Sequence, residues 1–448
     1  MVVCPSKRLT LVCVPGHPDT PPGAHYAVHG NHQNDRQLKM VQPLLNQSVQ
    51  AAAEAVGVWL EKADYAGQDP YQLAARANAA ARYSALRPLL NVAKHVVKAL
   101  HSHLPASLFT SMPAVVIPQA LSYVLSAEAL TEDSPTRTRR LQRIVTLLGT
   151  TRSAYSPHIA WGLPFTWRDG EIYPPNWPVA FSSSVVGHGL LDAKHCLAHA
   201  VVEEWITGLV QFLCNECGVV NTPSGVCFRF VKGSDSPIIN GCTLTAAFIA
   251  RAAALLGDNK ARDMAREAMA FVIDNQNDDG SWLYAAAYAD KAADLIIDNR
   301  HSGYILDGLK MFDDADPNHG LPIQSALNRG WEFYSTRMIV NGMTKWDPDT
   351  LYPIDGHDLA QALVTTTLLG KYEVRNEVLS FALKNLYDGN GQFFFKLFES
   401  GKINRSVFIR WTQAPFYRAL RMFLASSASL GPDHAATVGP EFSTTRGV

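Results

Sequence analysis

The sequence predicts an all-α protein: one large domain, an α/α toroid of about six helical hairpins, with flexible termini. Apolar residues recur at spacings of three and four along Ala-rich and Leu-rich stretches, whereas strand-like alternation is scarce. Helices end in turns that contain Gly218, Gly280, Gly342 and Gly391, which are spaced 62, 62 and 49 residues apart. A repeat of this length has room for two helices and a loop, and hairpins closed into a ring need no solvated end caps.

The helical pattern occupies most of the chain between its two ends. It covers nine segments: 47–63, 74–103, 116–130, 184–214, 243–275, 302–312, 324–339, 357–368 and 374–387. Two short runs, 226–231 and 392–398, are the main strand candidates. Residues 1–45 contain Pro, Gly, His, Asn and Gln without periodicity, so we expect a flexible N-terminal arm there. We expect the toroid domain over 46–427 and a disordered tail over 428–448.

Composition argues against several classes of protein. Lys plus Arg total 39 and Asp plus Glu total 40, so the net charge of −1 gives no basic excess for binding nucleic acid or anionic membranes. Hydrophobic residues make up 47% of the chain, which excludes global disorder. No apolar run reaches the roughly 20 residues of a membrane span, and the first residues lack the apolar core of a secretion signal. We therefore expect a cytoplasmic protein, of an oligomeric state that the sequence leaves open.

Signatures of metals and cofactors are weak. Seven cysteines form an odd and sparse set, and the C-x-x-C of Cys214 and Cys217 has no second pair to complete a zinc site. His195, His199 and Glu203 recur every fourth residue, but they do not form the H-E-x-x-H zinc motif. Because no glycine-rich phosphate loop follows a strand either, we expect neither a metal nor an organic cofactor.

The segment from Gln276 to Trp282 has the form Q-x-x-x-G-x-W and resembles the repeat motif of terpene-cyclase toroids. That resemblance implies a structural role, in which the Gln caps a helix end and stacks against the Trp. The acidic signatures of terpene chemistry, D-x-D-D and D-D-x-x-D, are missing, and the nearest match is Asp-Asp-Ala-Asp at 313–316. A terpene cyclase or prenyltransferase is therefore a disfavoured alternative.

Five other segments form a more specific pattern: 69–71 (DPY), 160–167 (AWGLPFTW), 297–306 (IDNRHSGYIL), 351–361 (LYPIDGHDLAQ) and 409–414 (IRWTQA). In order and spacing they resemble a family of bacterial α/α-toroid proteins that are associated with polysaccharide biosynthesis and belong to the six-hairpin glycosidase-like group. The resemblance covers roughly residues 58–424. It implies the fold and a biosynthetic setting, but it implies no defined reaction.

Three positions depart from the pattern of that family. Where the family has Asp-x-Phe-His-Thr-Gly, this chain has Arg300 in place of the Phe and Ser302 in place of the Thr. Where the family has Pro-Ile-Asp-x-His-Ser, this chain has Asp358 in place of the Ser. The arginine in particular bears on the shape of the pocket.

Two acid–imidazole pairs, Asp298 with His301 and Asp355 with His357, occur where a loop enters a helix. Loops at one end of a toroid surround its central funnel, so we expect both pairs in one cleft. A carboxylate beside an imidazole fixes its tautomer and raises its pKa, which gives an acid or a base near neutral pH. These four residues are our candidate catalytic residues. The alternative is that both aspartates cap helix N-termini and the imidazoles bond a neighbouring hairpin.

Aromatic and polar residues on loops suggest a carbohydrate cleft. Sugar rings stack their C–H faces on aromatic rings while their hydroxyls bond nearby polar groups; core packing is the alternative for each Trp. Arg300 and Arg410 have the guanidinium geometry that pairs with a uronate carboxylate, and an ordinary ion pair is the alternative. The candidate substrate-binding residues are Trp161, Trp167, Asn240, Trp282, Tyr304, Tyr352, Arg410 and Trp411.

The sequence therefore predicts a protein that processes or modifies an oligo- or polysaccharide by acid/base chemistry in the funnel. Hydrolysis, β-elimination and uronate epimerisation remain open, because all three use carboxylates, Tyr and His. A non-catalytic glycan-binding scaffold is the main alternative. If the acid–imidazole pairs are catalytic, alanine at His301 or Asp355 abolishes turnover and leaves thermal stability nearly unchanged.

Overall fold

The computed structural model describes four stretches of the chain: residues 32–76, 106–169, 171–288 and 295–429. The predictions for the first 31 residues, for most of the helix at 74–103 and for the tail from residue 430 onward lie outside the described residues. The first described helix begins at His32, so part of the segment predicted to be an arm is helical.

The described residues are mostly helical. The helices are α1 (His32–Lys62), α2 (Ala106–Thr110), α3 (Pro118–Glu128), α4 (Pro135–Thr150), α5 (Ala180–Asp192), α6 (His199–Gln211), α7 (Ile239–Leu256), α8 (Asn259–Asp274), α9 (Asn299–Ala315), α10 (Ile323–Phe333), α11 (Gly356–Leu368), α12 (Tyr372–Asn385) and α13 (Ala414–Ser429). Short 3₁₀ or π-helical turns lie at Lys194–Cys196, Phe212–Cys217, Tyr334–Met338 and Ile409–Gln413.

Six of these helices form a closed inner ring. They are α3, α5, α7, α9, α11 and α13, and each packs against the next. Helix α13 packs back against α3, which closes the ring. The outer helices α4, α6, α8, α10 and α12 each pack against the inner helix that precedes them, and α1 packs outside α13. The predicted α/α toroid of about six hairpins is therefore confirmed.

The inner and outer helices differ in how much of their surface is apolar. Among the described helices, α7 is the one long and apolar enough to cross a membrane, yet 78% of it is buried inside the protein. A helix that is apolar all round is typical of the centre of a large protein. The outer helix α4 instead buries one face, through Arg137, Leu141, Ile144, Leu147 and Leu148. The inner helices thus form the core, and the outer helices cover it.

Short antiparallel ladders connect the helices. The strands are β1 (Ala66–Gly67), β2 (Val115–Val116), β3 (Trp167–Asp169), β4 (Glu171–Tyr173), β5 (Val219–Thr222), β6 (Gly225–Phe228), β7 (Ile339–Val340), β8 (Met343–Thr344), β9 (Ile354–Asp355), β10 (Lys396–Leu397) and β11 (Ile403–Asn404). Strands β1 to β8 pair two by two, and the last three form one sheet in the order β11-β10-β9. The strand candidates at 226–231 and 392–398 overlap β6 and β10.

The glycine repeat marks close contacts between neighbouring hairpins. Gly280, Gly342 and Gly391 have φ values of 89°, 75° and 98°. A Cβ at these positions would lie 2.3, 2.5 and 2.5 Å from a carbonyl oxygen of α10, α12 and α1, respectively. Gly225 makes the equivalent contact with α8 at 2.3 Å, whereas a Cβ on Gly218 would meet only the side chain of Arg229, at 3.5 Å. The contact repeat therefore begins at Gly225. The sequence prediction, which placed its first glycine at Gly218, is wrong on this point.

The Q-x-x-x-G-x-W segment also links neighbouring hairpins. Nε2 of Gln276 donates hydrogen bonds to the carbonyl oxygens of Gly280 (2.9 Å) and Ala326 in α10 (3.0 Å). The indole N–H of Trp282 donates to the carbonyl oxygen of Val272 in α8 (2.9 Å). These bonds satisfy carbonyls near the end of α8 and within α10, and they give the segment a structural role.

We expect Gly391→Ala to destabilise the protein by about 2–4 kcal/mol, because the new Cβ is strained at positive φ and collides with the backbone of α1. Gly389 in the same turn is a matched control: its φ is 83°, and a Cβ there has no atom within 4 Å. Gly389→Ala should therefore cost only about 1 kcal/mol. Denaturant unfolding measures both, and equal losses would contradict a role for Gly391 in closing the ring.

Candidate active site

The N-terminal ends of the inner helices meet at one end of the ring, because each is separated from the next by an antiparallel outer helix. The start of α9, the start of α11, the turn before α13 and the segment after β1 bring a connected group of mostly buried side chains together there. We call this group the funnel cluster. Its members are Asp69, Tyr71, Asp298, Arg300, His301, Tyr304, Asp355, His357, Asp358, Lys396, Arg410 and Trp411.

Asp298 and His301 form the more exposed acid–imidazole pair. Asp298 is the N-cap of α9: its Oδ1 accepts a hydrogen bond from the backbone N–H of His301 (3.0 Å), and its Oδ2 lies 2.5 Å from Nδ1 of the same residue. Burial would raise the pKa of Asp298, but the His301 imidazole and the Arg300 guanidinium lower it to about 2. The carboxylate therefore accepts a hydrogen bond from Nδ1–H, and in the neutral imidazole this tautomer places the lone pair on Nε2. The His301 side chain is 24% exposed, so that nitrogen is accessible.

His357 lies deeper and contacts Tyr304. Its Nε2 is 3.1 Å from the Tyr304 hydroxyl, and its Nδ1 is 3.4 Å from a guanidinium nitrogen of Arg300. Burial, together with the Arg300 charge, holds the pKa of His357 well below its usual value, so the ring is neutral. Burial also raises the pKa of Tyr304 well above its usual value. Since Arg300 can only donate, Nδ1 accepts and the Nε2–H of His357 donates to the phenol oxygen.

Asp355 holds the start of α11 in place. Its Oδ1 accepts a hydrogen bond from the backbone N–H of His357 (2.8 Å), and its Oδ2 lies 3.3 Å from Nζ of Lys396. Asp355 and Lys396 are register partners on β9 and β10, which explains the contact. Both side chains are almost fully buried. These contacts favour the capping alternative for Asp355, because its oxygens face the α11 backbone and Lys396.

Two of the positions that depart from the family pattern contact each other. A guanidinium nitrogen of Arg300 lies 3.6 Å from Oδ1 of Asp358, and both side chains are buried. Arg300 also lies over the rings of Trp411 (4.7 Å) and Trp346 (5.6 Å). Burial raises the pKa of Asp358 well above its usual value, and the neighbouring Asp355 charge adds to the rise. Arg300 and Asp358 thus form one buried ion pair within the cluster.

Arg410 and Trp411 close the cluster on the side of α13. Arg410 donates two hydrogen bonds to Asp69, at 2.7 and 3.0 Å, which fixes the segment after β1 against the turn before α13. The Trp411 ring meets His357 edge to face at 5.2 Å and Tyr71 at 5.3 Å. Tyr71 is 43% exposed, so this wall reaches solvent.

Trp161 and Trp282 belong to the core, which corrects the expectation that they bind sugar. Trp161 is 0% exposed, and its indole N–H donates to the carbonyl oxygen of Leu148 (2.9 Å). Trp282 is 3% exposed and is bonded to α8. A ring without exposed faces offers no stacking surface, so the alternative of core packing describes both residues.

The remaining predicted binders lie in different surroundings. Trp167 on β3 is half-buried and stacks on Tyr173, with ring centroids 4.6 Å apart. Asn240 follows the first residue of α7, so it is not the cap, and its Nδ2 is buried without a partner among the described residues. Tyr352 is half-buried, and its hydroxyl lies 4.0 Å from Sδ of Met343.

Several members of the funnel cluster were missing from the predicted site. Asp69 and Asp358 lie inside the segments that carried the family resemblance, so that pattern could have identified them. Lys396 lies within the strand candidate at 392–398. The neighbouring sequence does not indicate that a carboxylate will contact it. Two aromatic residues lie beside the cluster. Trp346 is 5.6 Å from the Arg300 guanidinium, and the Tyr284 ring is 4.7 Å from the His301 ring; these contacts depend on how the loops pack.

Among the described residues, no group of three or more His, Cys, Asp or Glu side chains is arranged so that it could hold a metal ion. His199 and Glu203 contact each other at 3.4 Å on the outer surface of α6, with the His199 side chain 86% exposed. Cys214 and Cys217 carry free thiols, and burial raises the pKa of each to about 12.

Solved structures with the same fold include carbohydrate-processing enzymes. A cellobiose 2-epimerase from Bacillus thermoamylovorans matches with a TM-score of 0.55 and 8% identity, covering 69% of this chain and 87% of that one. An unsaturated glucuronyl hydrolase specific for heparin gives 0.53 and 10%, covering 86% and 97%. A family 76 α-mannanase from Bacteroides thetaiotaomicron gives 0.52 and 13%, covering 70% and 87%.

These likenesses confirm the six-hairpin glycosidase-like fold that the sequence segments predict. No family model matches the chain, and no curated protein matches it significantly.

Proposed function

We propose that this protein is an enzyme that modifies a glycan by moving a proton at a sugar carbon, with His301 as the base. The single observation that carries the proposal is the Asp298–His301 pair, whose Nδ1 lies 2.5 Å from the carboxylate and whose imidazole is partly exposed. The cellobiose 2-epimerase with the same fold supports the substrate class. A D-mannose isomerase, which matches with a TM-score of 0.52 at 11% identity, supports it as well.

The proton-transfer step uses the side chains around His301. Its Nε2 takes the proton from a carbon next to a carbonyl or carboxyl group, and the C–H electron pair moves toward the adjacent oxygen. Arg300 and the neutral Tyr304 phenol are N–H and O–H donors beside that position, and such donors stabilise developing negative charge. The His301 and Tyr304 ring centroids are 6.0 Å apart. Return of a proton from solvent to the opposite face inverts the carbon.

The geometry disfavours hydrolysis by a pair of carboxylates. That reaction needs two carboxyl groups that face the sugar, one as acid and one as nucleophile or base. Both oxygens of Asp298 are engaged by His301, and those of Asp355 by His357 and Lys396. Tyr304 is equally unsuited to act as a phenolate base, because burial raises its pKa.

The setting is also part of the proposal. The family resemblance supports a role in bacterial polysaccharide biosynthesis, in the cytoplasm, on an oligo- or polysaccharide. If the funnel cluster binds sugar without catalysis, its aromatic side chains would give a glycan-binding scaffold a stacking surface.

A mass-spectrometric assay in deuterated, ¹⁸O-labelled water tests the reaction class. Incubation with acidic and neutral oligosaccharides should give products that gain deuterium at carbon without cleavage. Cleavage with ¹⁸O incorporation would mean hydrolysis, and cleavage to an unsaturated product would mean elimination. Binding without any change in mass would favour the glycan-binding scaffold over the enzyme.

A further inference from the structure

Arg300 is a buried cation in the funnel cluster. Its side chain is 7% exposed, and its guanidinium lies over Trp411 at 4.7 Å and Trp346 at 5.6 Å. Contacts of this kind hold a guanidinium plane in a fixed orientation. The charge is therefore fixed at the floor of the cluster.

The hydrogen bonds of Arg300 are few for a buried guanidinium. It has five N–H donors, yet within the described ranges its one hydrogen bond is the 3.4 Å contact with Nδ1 of His357. Its ion pair with Asp358, at 3.6 Å, is longer than a hydrogen bond. Buried polar groups normally have partners, so the remaining donors require a ligand or water. None of its nitrogens is among the fully enclosed side-chain atoms that lack a partner within the described residues, so the donors without a hydrogen bond keep some exposure.

The other charges of the cluster are already matched. Arg410 makes two short hydrogen bonds to Asp69, and Lys396 lies 3.3 Å from Asp355. The carboxylate of Asp298 is engaged by His301. Arg300 is left with Asp358, a carboxyl group whose pKa is raised by burial. The charges of Asp358, Asp298 and Asp355 all act on Arg300, but none of these carboxyl groups accepts a hydrogen bond from it among the described residues, so a ligand carboxylate would supply the short contacts that they do not make.

We propose that Arg300 selects the substrate by binding the carboxylate of an acidic sugar, a uronate, in a bidentate manner. This proposal rests on the proposed function and specifies its substrate class. A carboxylate fits the planar fork of a guanidinium, which gives orientation as well as energy. The carbon that loses its proton to His301 is then the one bonded to that carboxylate.

The step balances without any further reactant. The C–H bond breaks, its proton goes to Nε2 of His301, and its electron pair enters the C–C bond to the carboxylate, whose second negative charge lies on oxygen beside Arg300. A proton from solvent forms a new C–H bond on the opposite face, and the electron pair returns from the carboxylate to the carbon. His301 releases its proton to solvent, so the net change is the configuration of one carbon.

The test compares three oligosaccharides of equal length: a uronate, its carboxyl-reduced neutral form and a sulfated neutral form. Calorimetric binding should favour the uronate over the neutral form by roughly 100-fold for the wild-type protein, the scale of two charge-assisted hydrogen bonds. Arg300→Gln should abolish that preference while neutral sugar still binds. Arg300→Lys keeps the charge but loses the fork, so it should retain only about a tenfold preference.

Arg139→Gln is the matched control, since it removes the same charge from an exposed ion pair with Glu61. It should leave the preference unchanged. Should Arg300→Gln fail to fold, the Arg300→Lys comparison carries the test. Equal binding of uronate and neutral sugar, selective binding of the sulfated form, no binding at all, or an undiminished preference in the Arg300 variants would overturn the proposal.

Deuterium uptake separates this inference from the proposed function. If a neutral sugar takes up deuterium and Arg300→Gln does not change that uptake, the uronate proposal is rejected and the proposed proton-transfer function is retained. Uronate-selective binding without uptake would keep the role of Arg300 and reject the proton-transfer function.

Discussion

Turnover should fall by roughly 10²–10⁴-fold when His301 is replaced by alanine, the range that positioned acid/base groups contribute. The imidazole is the partly exposed member of its pair, and the cap of α9 uses the carboxylate of Asp298 and the backbone N–H of residue 301. Both survive the substitution, so the melting temperature should change little. Deuterium uptake and thermal unfolding measure the two effects on one preparation.

Asp298→Asn separates positioning from proton transfer. The amide keeps a cap for α9, but it no longer fixes the Nδ1–H tautomer with a charge. Turnover should drop markedly while sugar binding persists. His199→Ala is the control, because this imidazole is 86% exposed on α6, far along the chain from the cluster. If His301→Ala retains full activity, or loses it only by unfolding, His301 is not the base.

The fold was predictable because its signals are local and repeated. Apolar spacing and glycine turns recur along the chain, and they survive errors at single positions. The first glycine of the series shows the limit: Gly218 and Gly225 both have positive φ, and only the approach of α8 distinguishes them. A sequence pattern marks a turn, but the contact across the turn depends on the neighbouring hairpin.

The candidate site was predictable where its partners are close in sequence. Asp298 and His301 are three residues apart, at the start of one helix, so helical geometry brings them together. Lys396 meets Asp355 only through pairing of β9 with β10. The direction of an aromatic ring is equally invisible: Trp161 and Trp411 both lie in loop-like segments, yet one packs on α4 and the other on His357.

Asp355→Ala should destabilise the protein by about 3–5 kcal/mol, contrary to what the sequence alone suggests. The substitution removes the N-cap of α11 and the carboxylate that lies 3.3 Å from the buried ammonium of Lys396. Since Asp355 carries both the cap and the ion pair, two further variants separate them. Asp355→Asn keeps a capping oxygen but loses the charge, and Lys396→Met removes the cation while keeping an apolar stem.

The Asp355→Asn/Lys396→Met double variant decides between the two roles. If the buried ion pair dominates, each single variant removes one charge of the Asp355–Lys396 pair and leaves the other buried, whereas the double variant removes both charges. The loss in the double variant should then be smaller than the sum of the single losses, by about 1–3 kcal/mol. Denaturant unfolding measures all four proteins. Additive losses would assign Asp355 to capping alone, and unchanged stability with lost turnover would return it to the catalytic residues.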